Sequence, residues 1–422
     1  MNKSTKNATR LPYVDVAKFI GLFCVIFVHA VIDHPKGNPP FVAYICAFHL
    51  PIFFILNGIT LKIDKELPFG LYLEKKIKSY IVPMFCLCTL IVLSEFWILE
   101  MQNKPIDWFI LGKRLIDMLG QKRMYSIWFV GALFFADVFF FFVVQWGKGK
   151  LSLCGIISLL FLGGGIFANK YYNYPWTWNI DVSLFGVFFI YIGYAWSHAC
   201  FSKIKNFIIK TRIHSLLFGV VFFAIGFFLA RINYVKYNLH LEMWARQYKK
   251  YYLVIPSAVF LSLGVILFSF TISNFILALL GQTTFVLLAF HKVFTFPLFA
   301  KILFKKWTAS IALLSWPNFD MVIFWLCETM FSIVILVAVH FLIVYSPFSF
   351  ILNKKPLPIY VKWATMLKLK VKTLAKKCLS VFYKNKAESM IPETINSPVE
   401  PKADSMTNDL EEQPKSTPDI SN

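Results

Sequence analysis

Ten runs of about 20 apolar residues follow one another along this chain, each long enough to cross ~30 Å of hydrocarbon. They fall roughly at 14–32, 41–61, 79–99, 125–146, 151–169, 180–197, 213–235, 252–270, 275–298 and 320–346. Two are interrupted, the fifth by Gly163-Gly164-Gly165 and the ninth by Gly281-Gln282. Of the 422 residues, 58% are hydrophobic and 15% charged. Soluble domains average about 25% charge, and so few charges cannot cover a water-facing surface. The composition excludes disorder for most of the chain and an ordinary soluble enzyme. The class left is an all-α, polytopic membrane protein.

Orientation follows from the basic residues. An even number of spans puts both ends on one side. Lysines and arginines number 22 on that side and 16 on the other, which favours both termini in the cytoplasm. The net charge of +21 fits cytoplasmic loops and contact with anionic lipid head groups; nucleic acid is a poor second partner and is not expected. The first apolar run carries Asp15 and Lys18 and lacks a small-residue cleavage pattern, so no cleavable signal peptide is read there. The eight cysteines are read as small buried hydrophobes, and Cys86 and Cys88 stand too close together for a normal disulfide.

Three regions are expected: 1–350 in the membrane, 351–383 basic, and 384–422 polar and acidic. Within 359–382, Trp363, Leu367, Val371, Leu374, Cys378 and Val381 fall near one helical face and Lys368, Lys372 and Lys376 on another; Lys370 intrudes on the apolar side. That pattern suits a helix on the inner leaflet or a plain basic anchor. Residues 384–422 are expected to be disordered.

Ionisable groups inside spans are expensive and mark function by default. The first span holds Asp15, Lys18 and His29. Lys18 and His29 are nearly three helical turns apart and share a face, at a separation of ~16 Å from the helical rise. Asp15 sits three residues before Lys18, close enough to pair with it. The second span carries His49, Pro51 and Asn57-Gly58. Lys75, Lys76 and Lys78 follow on the cytoplasmic side, read either as topology signals or as a docking site for a phosphorylated molecule. Trp128-Phe129 and Gly281 through His291 come later. Glu95, Asp137 and Glu328 lie in or near spans and are assigned only to bonding between helices.

In order, Asp15-x-x-Lys18 with Ile20-Gly21 and His29, the stretch Phe48-His49-Leu50-Pro51-Ile52-Phe53-Phe54 with Asn57-Gly58, the lysines before Pro83, Trp128-Phe129 and Gly281…His291 resemble the membrane-bound acyltransferase 3 family. They look most like its fucose 4-O-acetylase-like branch, over roughly residues 10–346. Two positions depart from the family pattern: Lys18 stands where many members have Arg, and Asn57 where many have Ser. The resemblance implies acyl transfer, usually acetyl from acetyl-CoA, to a hydroxyl of an envelope sugar in a bacterial inner membrane, with no metal. It implies His29 as the catalytic imidazole, acting as a base or as an acylated relay, with Lys18 and Asp15 as further catalytic residues about three turns earlier on the same helix. Lys75, Lys76 and Lys78 would take the donor phosphates, and His49, Asn57, Trp128 and His291 would line the substrate cavity. The competing readings are a transporter or flippase of lipid-linked glycans and an export component. A transporter would be expected to show internal repeats, and none is visible.

Overall fold

The structure, a computed structural model, describes residues 10–33, 39–63, 66–101, 105, 107–121, 123, 125–172, 174–198, 202–237, 241–248, 250–299, 319–354, 372–374 and 376. The chain divides into two compact units, Met1–Tyr360 and Val361–Asn422. The basic segment at 359–382, apart from residues 372–374 and 376, and the tail at 384–422 lie outside the described residues.

Among the described residues the regular structure is helical, apart from one isolated bridge between Glu242 and Gln247. The helices are α1 Pro12–Ile32, α2 Pro40–Cys46, α3 Pro51–Thr60, α4 Phe69–Lys76, α5 Val82–Met101, α6 Trp108–Gly120, α7 Trp128–Trp146, α8 Leu151–Tyr171 and α9 Ile180–Ser197. They continue with α10 Ser202–Ile208, α11 Arg212–Tyr237, α12 Tyr251–Thr271, α13 Phe275–Leu280, α14 Thr284–Phe290, α15 Phe296–Leu298 and α16 Phe319–Val344. Nine helical segments among the described residues are long and apolar enough to cross a membrane. Their outer faces carry bare apolar side chains such as Leu160, Phe228 and Leu342, as lipid-facing helices require. The chain is a multi-pass membrane protein. The face where α1 begins is called the near face, and the opposite one the far face.

Three expected runs take a different form. The ninth, 275–298, is not one helix: α13 and α14 are separated by a turn at Gly281-Gln282, a π-helical turn His291–Thr295 follows, and α15 closes the segment. The second run is two helices, because Pro51 offers no N–H and starts a new helix after the turn at 47–50. The third begins at Phe69, earlier than expected, and α4, the π turn Ile77–Ile81 and α5 run on without a break. Lys75, Lys76 and Lys78 therefore lie inside a helix rather than in a loop before one.

Two close backbone approaches set the geometry near the site. Where α3 crosses α9, a Cβ on Gly58 would collide with the Ile190 carbonyl, and one on Gly193 with the Ile55 carbonyl. Only glycine permits that contact, and it fixes the neighbouring Asn57. At the turn after α13, a Cβ on Gly281 would strike the Asp15 carbonyl oxygen and lie 2.6 Å from its carbon. The broken ninth segment is thus held directly against the first turn of α1. On the near face, the turn Pro347–Leu352 folds back, and Asn353 Nδ2 donates to Ser79 Oγ at 3.3 Å.

Candidate functional site

A cavity of about 250 Å³ lies between α1, α3, the π turn at Ile77–Ile81, α7 and the broken ninth segment. Its polar wall includes Arg10, Asp15, Lys18, Asn57, Tyr80 and Gln282, and its apolar wall Phe53, Phe129 and Leu288. Asp15 is buried at 3% exposure. It is shared by two cations, Arg10 Nε at 2.6 Å and Lys18 Nζ at 3.5 Å. One carboxylate between two cations leaves a local surplus of positive charge at this wall. Asn57 accepts from Tyr80 Oη at 3.4 Å, while its amide nitrogen is buried without a partner. The asparagine that departs from the family pattern thus brings an unused hydrogen-bond donor to the cavity.

Of the residues expected at the site, Asp15, Lys18 and Asn57 meet here. His29, His49, Trp128 and His291 are not part of this wall. His29 and His291 form a separate pair further along α1, with ring centroids 5.2 Å apart and planes inclined by 38°. His291 is fully buried, and its Nδ1 lies 2.8 Å from the Leu287 carbonyl. Thr295, on the same π turn, holds its hydroxyl 2.8 Å from the His291 carbonyl and 2.7 Å from Ser332 Oγ. Lys292 bonds Asp33 at 2.7 Å, tying this turn to the end of α1. His49 sits on the turn between α2 and α3, its Nδ1 3.2 Å from the Ile45 carbonyl.

The three lysines part company. Lys75 is exposed. Lys78 is exposed and pairs with Glu74 one helical turn away. Lys76 turns inward onto Asp137, its side chain only 12% exposed and the carboxylate fully buried. Tyr72 donates to the same carboxylate at 2.7 Å, and the Lys76 ammonium lies over the rings of Tyr72 and Tyr80. Lys76 is committed to the protein interior, so a cluster of three free cations does not exist. Asp137, which the sequence left without a specific role, is its partner.

Trp128 belongs to a cluster toward the far face. Arg123 lies over its ring at 6.0 Å, and its carbonyl accepts from Asn179 Nδ2 at 3.2 Å. Asp181 receives Arg123 Nη2 at 2.8 Å and Arg246 Nε at 3.3 Å, all three side chains buried. Arg246 also donates to the carbonyls of Tyr174 at 2.8 Å and Ala168 at 3.1 Å. Tyr248 is buried nearby, and burial raises its hydroxyl pKa above the ordinary tyrosine value. Sequence reasoning missed this cluster apart from Trp128, as it missed Arg10 and Tyr80; Gln282 stood inside the Gly281…His291 stretch with no role of its own. Arg10, next to an intramembrane acid, was the one with a readable signal.

The arrangement offers a cavity with charge at the start of α1 and, further along, a half-buried imidazole on that helix, His29, facing the buried His291 of the π turn. A profile of the acyltransferase 3 family, described as an acyltransferase domain, matches residues 11–344. No curated protein and no solved structure matches the chain. With that match running from the charged start of α1 through the last membrane helix, the chain belongs to the acyltransferase 3 family and is a membrane acyltransferase.

Proposed function

We propose that the protein moves an acetyl group from acetyl-CoA to a sugar hydroxyl of an envelope glycan, as in the fucose 4-O-acetylase-like branch it resembles. The observation that carries this reading is the cavity at the start of α1, with Lys18 and Asp15 in its wall and His29 about three turns along the same helix. The ~16 Å from Lys18 to His29, set by the helical rise, is the order of length of a pantetheine arm. The phosphates sit at the mouth near Arg10 and Lys18, with Lys75 and Lys78 as outer attraction. The arm passes the free amide of Asn57, a donor for one of its carbonyls. His29 then serves as general base on the acceptor hydroxyl or carries the acyl group itself.

The setting is a bacterial inner membrane with both termini in the cytoplasm, where acetyl-CoA is made and anionic head groups meet the basic residues. The test is to incubate membranes with radiolabelled acetyl-CoA and to count label in the envelope glycan. His29→Ala should abolish transfer with insertion intact, because general acid–base help alone contributes about 10²–10⁴ in rate. Normal glycan labelling by inserted His29→Ala removes the imidazole from the reaction.

A further inference from the structure

His291 Nδ1 lies 2.8 Å from the Leu287 carbonyl. A carbonyl can only accept, so Nδ1 carries the ring proton and Nε2 keeps its lone pair. That Nε2 is buried with no partner, which for a polar atom in a fully buried side chain calls for a reason. The ring beside it is His29, with centroids 5.2 Å apart. At this separation an N–H···N bond forms when a His29 nitrogen and His291 Nε2 face each other along the line between the rings. The backbone is unusual at the same place: His291 opens the π turn His291–Thr295, and such turns occur often at functional sites. The charged neighbours are Lys292 and Asp33, which neutralise each other, and His49 stands within electrostatic range of His29.

We propose that His291 is the positioning residue behind His29 and the acceptor of its second proton. This rests on the reading of His29 as the base. His29 donates its N–H to His291 Nε2, which selects the tautomer whose other nitrogen faces the acceptor hydroxyl. A buried carboxylate does this behind the imidazole of serine hydrolases; here a neutral ring held by Leu287 does it. During transfer the sugar oxygen bonds to the thioester carbonyl carbon and the C–S bond breaks. The hydroxyl proton passes to His29, and the proton on the opposite His29 nitrogen passes to His291. The departing thiolate takes a proton from His29, which recovers its own from His291, and both rings end neutral.

The test uses the full-length protein in membranes, with radiolabelled acetyl-CoA as donor and glycan label as readout. His291→Leu should lower kcat on the order of 10²-fold and leave KM for acetyl-CoA unchanged. His291→Gln places a carbonyl oxygen near the Nε2 position and should recover most of that loss. His291→Asn, which keeps a donor for Leu287 but has no acceptor at that position, should not. Wild-type kcat in inserted His291→Leu, or equal losses in the Leu and Gln variants, overturns the assignment. If every variant fails to insert, the wild-type protein decides. Single-turnover rates in mixed light and heavy water should curve with deuterium fraction, as two moving protons require, and a straight line overturns the relay. Full activity in His29→Ala sinks the reading of His29 itself; an inactive His29→Ala alongside unaffected His291 variants sinks only the relay.

Discussion

Replacing Lys76 by Met should cost this protein its stability before it costs any affinity for the donor. The Lys76 ammonium is the cation beside Asp137, whose carboxylate is fully buried and otherwise bonded to Tyr72 Oη at 2.7 Å. Removing one partner of a buried pair strands the other charge, at about 3–5 kcal/mol. At 1.4 kcal/mol per tenfold, that is roughly a hundredfold to several thousandfold in the ratio of folded to unfolded protein. Lys75→Met, on the exposed side of the same helix, should stay within about 0.5 kcal/mol of wild type. Lys76→Met combined with Asp137→Leu should recover most of the loss, because two apolar side chains replace a buried pair without stranding a charge. Thermal unfolding of the detergent-solubilised protein, followed by size exclusion, ranks the four proteins. KM for acetyl-CoA on the surviving fraction gives the second reading. Wild-type stability of Lys76→Met together with a raised KM would refute the argument and return Lys76 to the phosphates.

Two further outcomes follow from the same reasoning. Gly281→Ala should lower the unfolding midpoint and glycan labelling together, because its methyl meets the backbone of Asp15 rather than a movable side chain; overpacking of this kind costs about 1–3 kcal/mol. Truncation after Tyr383 should leave acyl transfer per inserted molecule unchanged, since the family match ends at residue 344; a loss on removing 384–422 alone would assign that segment a part in the reaction.

The sequence made the membrane class legible because apolar length is a local property, readable window by window. It made Asp15, Lys18 and Asn57 legible because each is a polar residue in an apolar run, and they do share one cavity wall. It failed where the decisive partner is distant. Nothing near Lys76 in the chain announces Asp137, so three close lysines looked like one cluster. His29 and His291 meet across most of the chain's length, and no spacing reveals which nitrogen of His291 is left unbonded. The helix Trp108–Gly120 could have been read from Asp107, which caps it by accepting from Phe109 and Ile110. It escaped because, at 13 residues, it is too short to register as a span.

The Asp181 cluster bears on how the chain is assembled during synthesis. Arg123 is made first, Asp181 next and Arg246 last, each on a segment flanked by different helices. While Arg246 is still to be made, the carboxylate and Arg123 form a neutral pair. Its arrival adds a second guanidinium beside one carboxylate, and burying that surplus charge costs desolvation. The carbonyls that receive it offset the cost. Ala168 lies in the last turn of α8 and Tyr174 just beyond it, where the helix dipole is negative and favours a cation. The end of α8 thus acts as the waiting counter-charge for a residue synthesised some 75 positions later, and closing the far side of the bundle becomes a late event that follows translation through α11.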